Sequence, residues 1–171
     1  MALPVEKPTQ TADFFSQTEV FLEDLLLTAD ELPQGTWLLA DDPLLKPPAI
    51  HNLAVAGTCA ATWTGAQDVS TVSIQLLCCA TAEACKVLFE EVKAKYLSTG
   101  TLLLPETEEP DPSSWYLATD TGYLMVLVHQ GRVLASIYIQ PAANLAVEQL
   151  LGFGQQVAYA QRAKLNKARY K

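Results

Sequence analysis

Two stretches of the chain alternate residue types at a period of two, and that period constrains the fold more than any other feature. From Leu53 to Trp63, the residues Leu53, Val55, Cys59, Ala61 and Trp63 fall on one side, and Ala54, Ala56, Thr58, Ala60 and Thr62 on the other. Successive strand side chains point to opposite faces, so the pattern describes a strand with one heavier face. Thr64 to Val69 supplies turn residues, including Gly65 and Asp68, and then Val72, Ile74, Leu76 and Cys78 alternate with Thr71, Ser73, Gln75 and Leu77. The two runs predict a hairpin. A turn near residues 66 and 67 sets Cys59 opposite Ile74, about four residues from the level of Cys78. At roughly 3.4 Å per residue that offset exceeds disulfide reach.

The second stretch runs from Trp115 to Gln140. Asp120-Thr-Gly122 and His129-Gln-Gly131 divide it into strands at Trp115–Thr119, Tyr123–Val128 and Arg132–Gln140. Such short connections make the meander antiparallel. On the last strand Val133, Ala135, Ile137 and Ile139 share a face, opposite Arg132, Leu134, Ser136 and Tyr138.

Helical spacing fills much of the rest. Thr11 is expected to cap a helix to about Leu27 carrying Phe14, Phe21, Leu22 and Leu25, and Thr28-Ala-Asp-Glu31 matches a capping box. Pro33 and Gly35 stop that turn, and Trp37 is expected to plug the edge of the core. Thr81 caps a helix whose stripe is Cys85, Leu88, Phe89, Val92 and Tyr96. Asn144 is expected to cap a closing helix to about Asn166, with Val147, Leu150, Leu151, Val157, Ala158 and Leu165 facing the core. Gly152 and Gly154 each weaken it by roughly 1 kcal/mol relative to Ala, which predicts close packing there. Asp41–Pro48 and Pro105–Ser114 read as loops. The predicted fold is therefore α+β. An antiparallel sheet of about five strands, a hairpin plus a three-stranded meander, carries helices mainly on one face in the order α-β-β-α-β-β-β-α. Residues 1–10 form a loose leader, 11–166 one domain and 167–171 a basic tail.

Composition narrows the function. A net charge of -8 and a pI of about 4.6 exclude the basic footprint that nucleic acid requires. No apolar run of roughly 20 residues is present to span a membrane. The N-terminus, Met-Ala-Leu-Pro-Val-Glu-Lys-Pro, has neither a cationic region nor an apolar one of the kind that starts a signal peptide. Charge is uneven: residues 1–140 are acidic, whereas Arg162, Lys164, Lys167, Arg169 and Lys171 face Glu148 alone after residue 140. Those cations suit the negative end of a helix dipole.

The chemistry-bearing residues are sparse. Cys59, Cys78, Cys79 and Cys85 are even in number and fit up to two disulfides, with Cys85 within reach of Cys78 or Cys79; buried free thiols are the competing reading. Their spacing does not suit zinc. His51 and His129 are the only imidazoles for a thiol dyad, with Cys59 or Cys85 respectively. The acid pairs Asp41–Asp42, Glu90–Glu91 and Glu108–Glu109 read as solvated neighbours, and no phosphate-binding, metalloprotease or calcium-loop pattern occurs. No cofactor or metal is expected, and an enzyme is not supported. Trp115, Tyr116, Tyr123 and Tyr138, with Arg132, gather on the meander as a possible surface for a small apolar ligand or a protein partner; cross-strand aromatic packing is the plainer alternative.

Leu26-Leu-Thr-Ala-Asp-Glu-Leu-Pro-Gln-Gly-Thr-Trp37, followed by Thr81-Ala-Glu-Ala84 and by Gly122-Tyr123 to Ile139 with its Gly131-Arg132-Val133, resembles small exported bacterial lipoprotein-type domains. The same order is similar to the extracellular sensor domains of actinobacterial serine/threonine kinases. The likeness spans roughly residues 20–165 and rests on pattern, so no ligand residue carries over by position. It implies an α+β domain, often disulfide-bonded, that holds small or lipidic ligands in a cleft. The leading expectation is a non-enzymatic extracytoplasmic binding domain, tied to a membrane only through an N-terminal anchor absent here. The alternatives are an accessory structural subunit of a larger assembly and, third, a cysteine-dependent enzyme. Four free thiols favour a cytoplasmic location instead.

Overall fold

The computed structural model describes residues 21–33, 35–40, 55–65, 69–105, 112–142 and 145–169. Both predicted strand runs are strands, and they belong to one antiparallel sheet of seven. The strands are β1 (Trp37–Leu39), β2 (Val55–Gly65), β3 (Val69–Cys79), β4 (Gly100–Leu103), β5 (Ser114–Thr119), β6 (Leu124–Gln130) and β7 (Val133–Pro141). Their spatial order is β1-β2-β3-β7-β6-β5-β4. Two meanders thus meet at the centre, where β3 pairs β7 with Ile74 opposite Ile137 and Cys78 opposite Val133.

The two strands beyond the expected five are the edges. Trp37 pairs with Gly65, and Leu103 with Tyr116. Runs of three and four residues are too short to display a period, which is why Trp37 and Leu102–Leu104 read only as apolar fragments. Trp37 is buried as expected. Its Nε1–H donates to Pro33 O at 3.1 Å, its ring lies 6.0 Å from that of Phe153, and a Cβ on Gly65 would sit 2.8 Å from that ring.

Helix α1 (Ala82–Tyr96) starts where Thr81 predicts: the Thr81 hydroxyl accepts from Ala84 N–H at 3.0 Å, and Cys85, Leu88, Phe89 and Val92 are buried. Helix α2 (Val147–Arg169) includes residues 167–169, which were expected as tail. Its core stripe is Leu150, Phe153, Val157, Gln161 and Leu165; Val147 is exposed instead. The expected first helix lies outside the described residues up to residue 20. From there the chain makes short 3-10 turns at Leu22–Leu25 and Ala29–Glu31 with Leu26 extended between them, so it is not α-helical to Leu27. The Asn144 cap and the loop at 41–48 also lie outside the described residues.

The layering differs from expectation in one respect that matters. The helices do not share a face. Helix α2 and the turns at 22–31 pack with Val72, Ile74, Leu76, Val126, Val133, Ala135, Ile137 and Ile139 on one side. Helix α1 packs with Leu77, Cys79, Met125, Leu127, Leu134 and Tyr138 on the other. The physical reason is the run Leu124-Met-Val-Leu-Val128, every residue of which is buried. A strand apolar on both sides needs a cover on both sides.

Helix α2 also anchors the chain's first described segment. The Gln161 amide is fully buried and donates to Leu25 O at 2.7 Å, and Lys164 Nζ donates to Leu26 O and to Glu31 Oε2, each at 2.7 Å. The Glu31 carboxylate also accepts the Thr28 N–H at 2.7 Å, as the capping box predicts. Part of the charge asymmetry is therefore satisfied inside the molecule. Burial pushes the Glu31 carboxyl up, but Lys164 and the Thr28 backbone outweigh it and hold the group below its ordinary value.

Two outcomes follow from this packing. Because the folded carboxyl titrates lower than the unfolded one, the Glu31 contribution is complete above the usual carboxylate range. It is lost as pH falls through the lowered value, so Glu31→Gln flattens the acid limb of stability against pH in urea titrations. Ile137→Ala, at the centre of the sheet, is expected to cost about 3 kcal/mol with an unchanged denaturant slope, whereas Leu38→Ala on the 68% exposed edge position changes stability by less than about 0.5 kcal/mol.

Candidate functional site

The five meander residues do not form one surface. Trp115 and Tyr138 are buried on the α1 side with Tyr123 packed against them, whereas Tyr116 belongs to the α2 side. Adjacent strand positions face opposite ways, so Trp115 and Tyr116 are split by the pleat itself. The Tyr138 hydroxyl donates to Met125 Sδ at 3.5 Å, and burial, then Tyr96, pushes its ionisation up. Arg132 sits in the β6–β7 turn, where its carbonyl accepts Cys79 N–H at 2.7 Å. That turn and the one before it use Gly131 at φ 58° and Gly122 at φ 91°, a backbone region that suits glycine.

The cysteines also occupy distinct places. All four are free thiols, so of the two readings left open the structure shows unbridged cysteines, three of them buried and Cys59 half-buried. Cys59 lies opposite Leu76, not Ile74, because the β2–β3 turn is centred further along than expected. That puts Cys59 and Cys78 two residues apart diagonally, still a poor distance for a bond. Burial pushes both thiols up to about 12, with Glu23 adding to the effect at Cys59 and Cys79 at Cys78. Cys79 and Cys85 share one buried cluster, and the His129 ring packs on Phe89 with centroids 4.6 Å apart. His51 lies outside the described residues. The described residues contain no group of three or more His, Cys, Asp or Glu placed to hold a metal ion. Among them no helix is long and apolar enough to cross a membrane.

A cleft of about 880 Å³ lies elsewhere, beside the outer strands β4 and β5. Helix α2 packs chiefly on β6, leaving the same face of β4 and β5 beyond it. Leu103 and Tyr116, a cross-strand pair on that face, are part of the floor. The wall is the side of α2 that carries Gly152, Gln155, Gln156, Tyr159 and Arg162. These positions recur at three- and four-residue steps, one helix face away from the Leu150–Leu165 core stripe. Leu104 and Tyr159 stand exposed at the rim. Arg162 Nη2 donates to Ser114 Oγ, tying helix to strand across the opening. Among the described lining residues, Arg162 carries the one formal charge.

The two helix glycines serve opposite purposes. A Cβ on Gly154 would fall 2.5 Å from Leu124 Cδ2, which is the close packing the sequence predicts. A Cβ on Gly152 would meet nothing within 4 Å, because that position borders the cleft. At 3.6 residues per turn, positions two apart are nearly opposed around the helix, so only one of them can lie against the sheet.

The fold and site thus define an α+β protein with an apolar cleft at one edge of a covered antiparallel sheet. No family model matches the chain, and no curated protein matches it. Among solved structures it is similar to the extracellular domain of PknH from Mycobacterium tuberculosis, with a TM-score of 0.47 and 10% identity over 67% of this chain. The chain spans 66% of that chain's length. Likeness at this level transfers neither residues nor a ligand.

Gly152→Ala is expected to stabilise the protein by about 0.5–1 kcal/mol in urea unfolding, and Gly154→Ala to gain less or to lose stability. Equal gains at the two positions would show that the helix is not seated as described.

Proposed function

We propose that this protein is a non-enzymatic binding domain, and that its ligand occupies the cleft between α2 and the β4–β5 edge. The observation that carries the reading is the cleft's composition: an apolar floor, two glutamine amides and one guanidinium, with Gly152 keeping the wall open. A volume of about 880 Å³ falls within the range of small-molecule sites. The lining favours a largely apolar molecule with one hydrogen-bond-accepting or anionic group, since a carboxylate set against Arg162 gains charge-assisted hydrogen bonds in a partly desolvated site. Cys59 and Cys78 titrate at about 12 and hold little thiolate at neutral pH, so neither of those two is an activated nucleophile.

Titrating the full chain with laurate, and separately with dodecanol, tests this through displacement of anilinonaphthalene sulfonate fluorescence. Saturable binding is expected for both probes. Gly152→Leu should weaken both at least tenfold while thermal stability holds or rises, because leucine is the better helix former. Arg162→Met should weaken laurate about tenfold and leave dodecanol nearly unchanged. Absence of saturable binding by either probe, or unaltered binding by Gly152→Leu, refutes the assignment.

A further inference from the structure

We propose that Cys79 and Cys85 are a dithiol pair that a small-molecule disulfide such as oxidised glutathione converts to an intramolecular bridge. This goes beyond the cleft reading and stands independently of it. Cys79 is the last residue of β3, and Cys85 lies in the first turn of α1, whose start is held by the Thr81 cap. Alternation along β3 places Cys78 in the core on the α2 side and Cys79 in the core on the α1 side. The sheet therefore separates Cys78 from the helix, and Cys85 meets Cys79. The two side chains are fully buried in the same cluster, where each biases the other's ionisation.

The pair is also chemically uneven. Cys85 holds the Cys79 thiol below its ordinary value; Cys79 in turn, followed by burial, pushes Cys85 well up. Once the pair is exposed either thiolate can attack, and attack by Cys79 is the representative case. The Cys79 thiolate attacks one sulfur of oxidised glutathione, forming a mixed disulfide and releasing one glutathione thiolate. Cys85 gives its proton to that thiolate, attacks the Cys79 sulfur, forms the Cys79–Cys85 bond and expels the second glutathione. Two electrons pass from the protein thiols to the reagent. Both sulfurs are covered in the folded chain, so the exchange runs through opening of the first turn of α1 or during folding.

Refolding the full chain in a buffer of reduced and oxidised glutathione tests the pairing. Cleavage after glutamate without reductant cuts at Glu83, between the two cysteines, and releases Ala84–Glu90 from the segment Leu32–Glu83 that carries the other three. The expected result is that these two peptides stay disulfide-linked in the wild type, in Cys59→Ser and in Cys78→Ser, and separate in Cys79→Ser. Titration of the denatured wild type should fall from four thiols to two. Separate peptides in the wild type, or linked ones in Cys79→Ser, overturn the proposal. The count is taken on unfolded chains, so a variant that folds poorly still reports its linkage.

Discussion

The structure depends on a sheet centre that buries apolar side chains on both faces: β6 is apolar on both sides from Leu124 to Val128, and β3 and β7 add apolar residues to each face beside it. β3, β7 and β6 supply Ile74, Ile137 and Val126 to one face and Leu77, Leu134 and Leu127 to the other, all buried. A sheet of this kind cannot leave either face to water, since each buried Leu or Ile contributes about 1.5–3 kcal/mol that exposure forfeits. Helix α1, leaving the end of β3, covers one side, and α2, arriving from the end of β7, covers the other. The chain order then follows from short connections: each meander ends on a central strand and hands over to the helix that covers it.

The cleft is a consequence of the same arrangement. One helix about 10 Å wide cannot cover several strands spaced about 4.8 Å apart, so α2, lying over β6, leaves the β4–β5 flank of its face open. The floor is then sheet and the wall is the helix side that would otherwise face water. Gly152 keeps the wall low, Gln155, Gln156 and Arg162 make it polar, and Ser114 fixes the distance between helix and strand through Arg162. The basic end of the chain has a structural part as well, because Lys164 bridges α2 to the turns at 22–31 through both a carbonyl and the Glu31 carboxylate. These contacts hold the segment on which Leu22, Leu25 and Leu27 reach the core.

Much of the fold was legible because period and capping are local signals. The alternation of Val72–Cys78 and Val133–Ile139, the Thr81 cap, the Thr28–Glu31 box and the Gly122 and Gly131 turns all stand where the residues place them. The edge strands were not legible, since three or four residues carry no measurable period, and Gln161 was missed because a polar side chain on a core stripe reads as an interruption until its carbonyl partner is known. The aromatic grouping is divided for a geometric reason: nearness along a meander says nothing about face, and although Trp115 and Tyr116 both border the cleft, they belong to core clusters on opposite sides of the sheet.

By itself the sequence determined that this chain builds an antiparallel sheet with amphipathic helices, because strand and helix periods are written in the order of apolar residues. Only the tertiary structure decided that the helices take opposite faces, that Gly152 opens a cleft while Gly154 closes a contact, and that Cys85 meets Cys79 rather than Cys78. Each of these depends on which element lies across from which, a relation between residues far apart along the chain that no local pattern encodes.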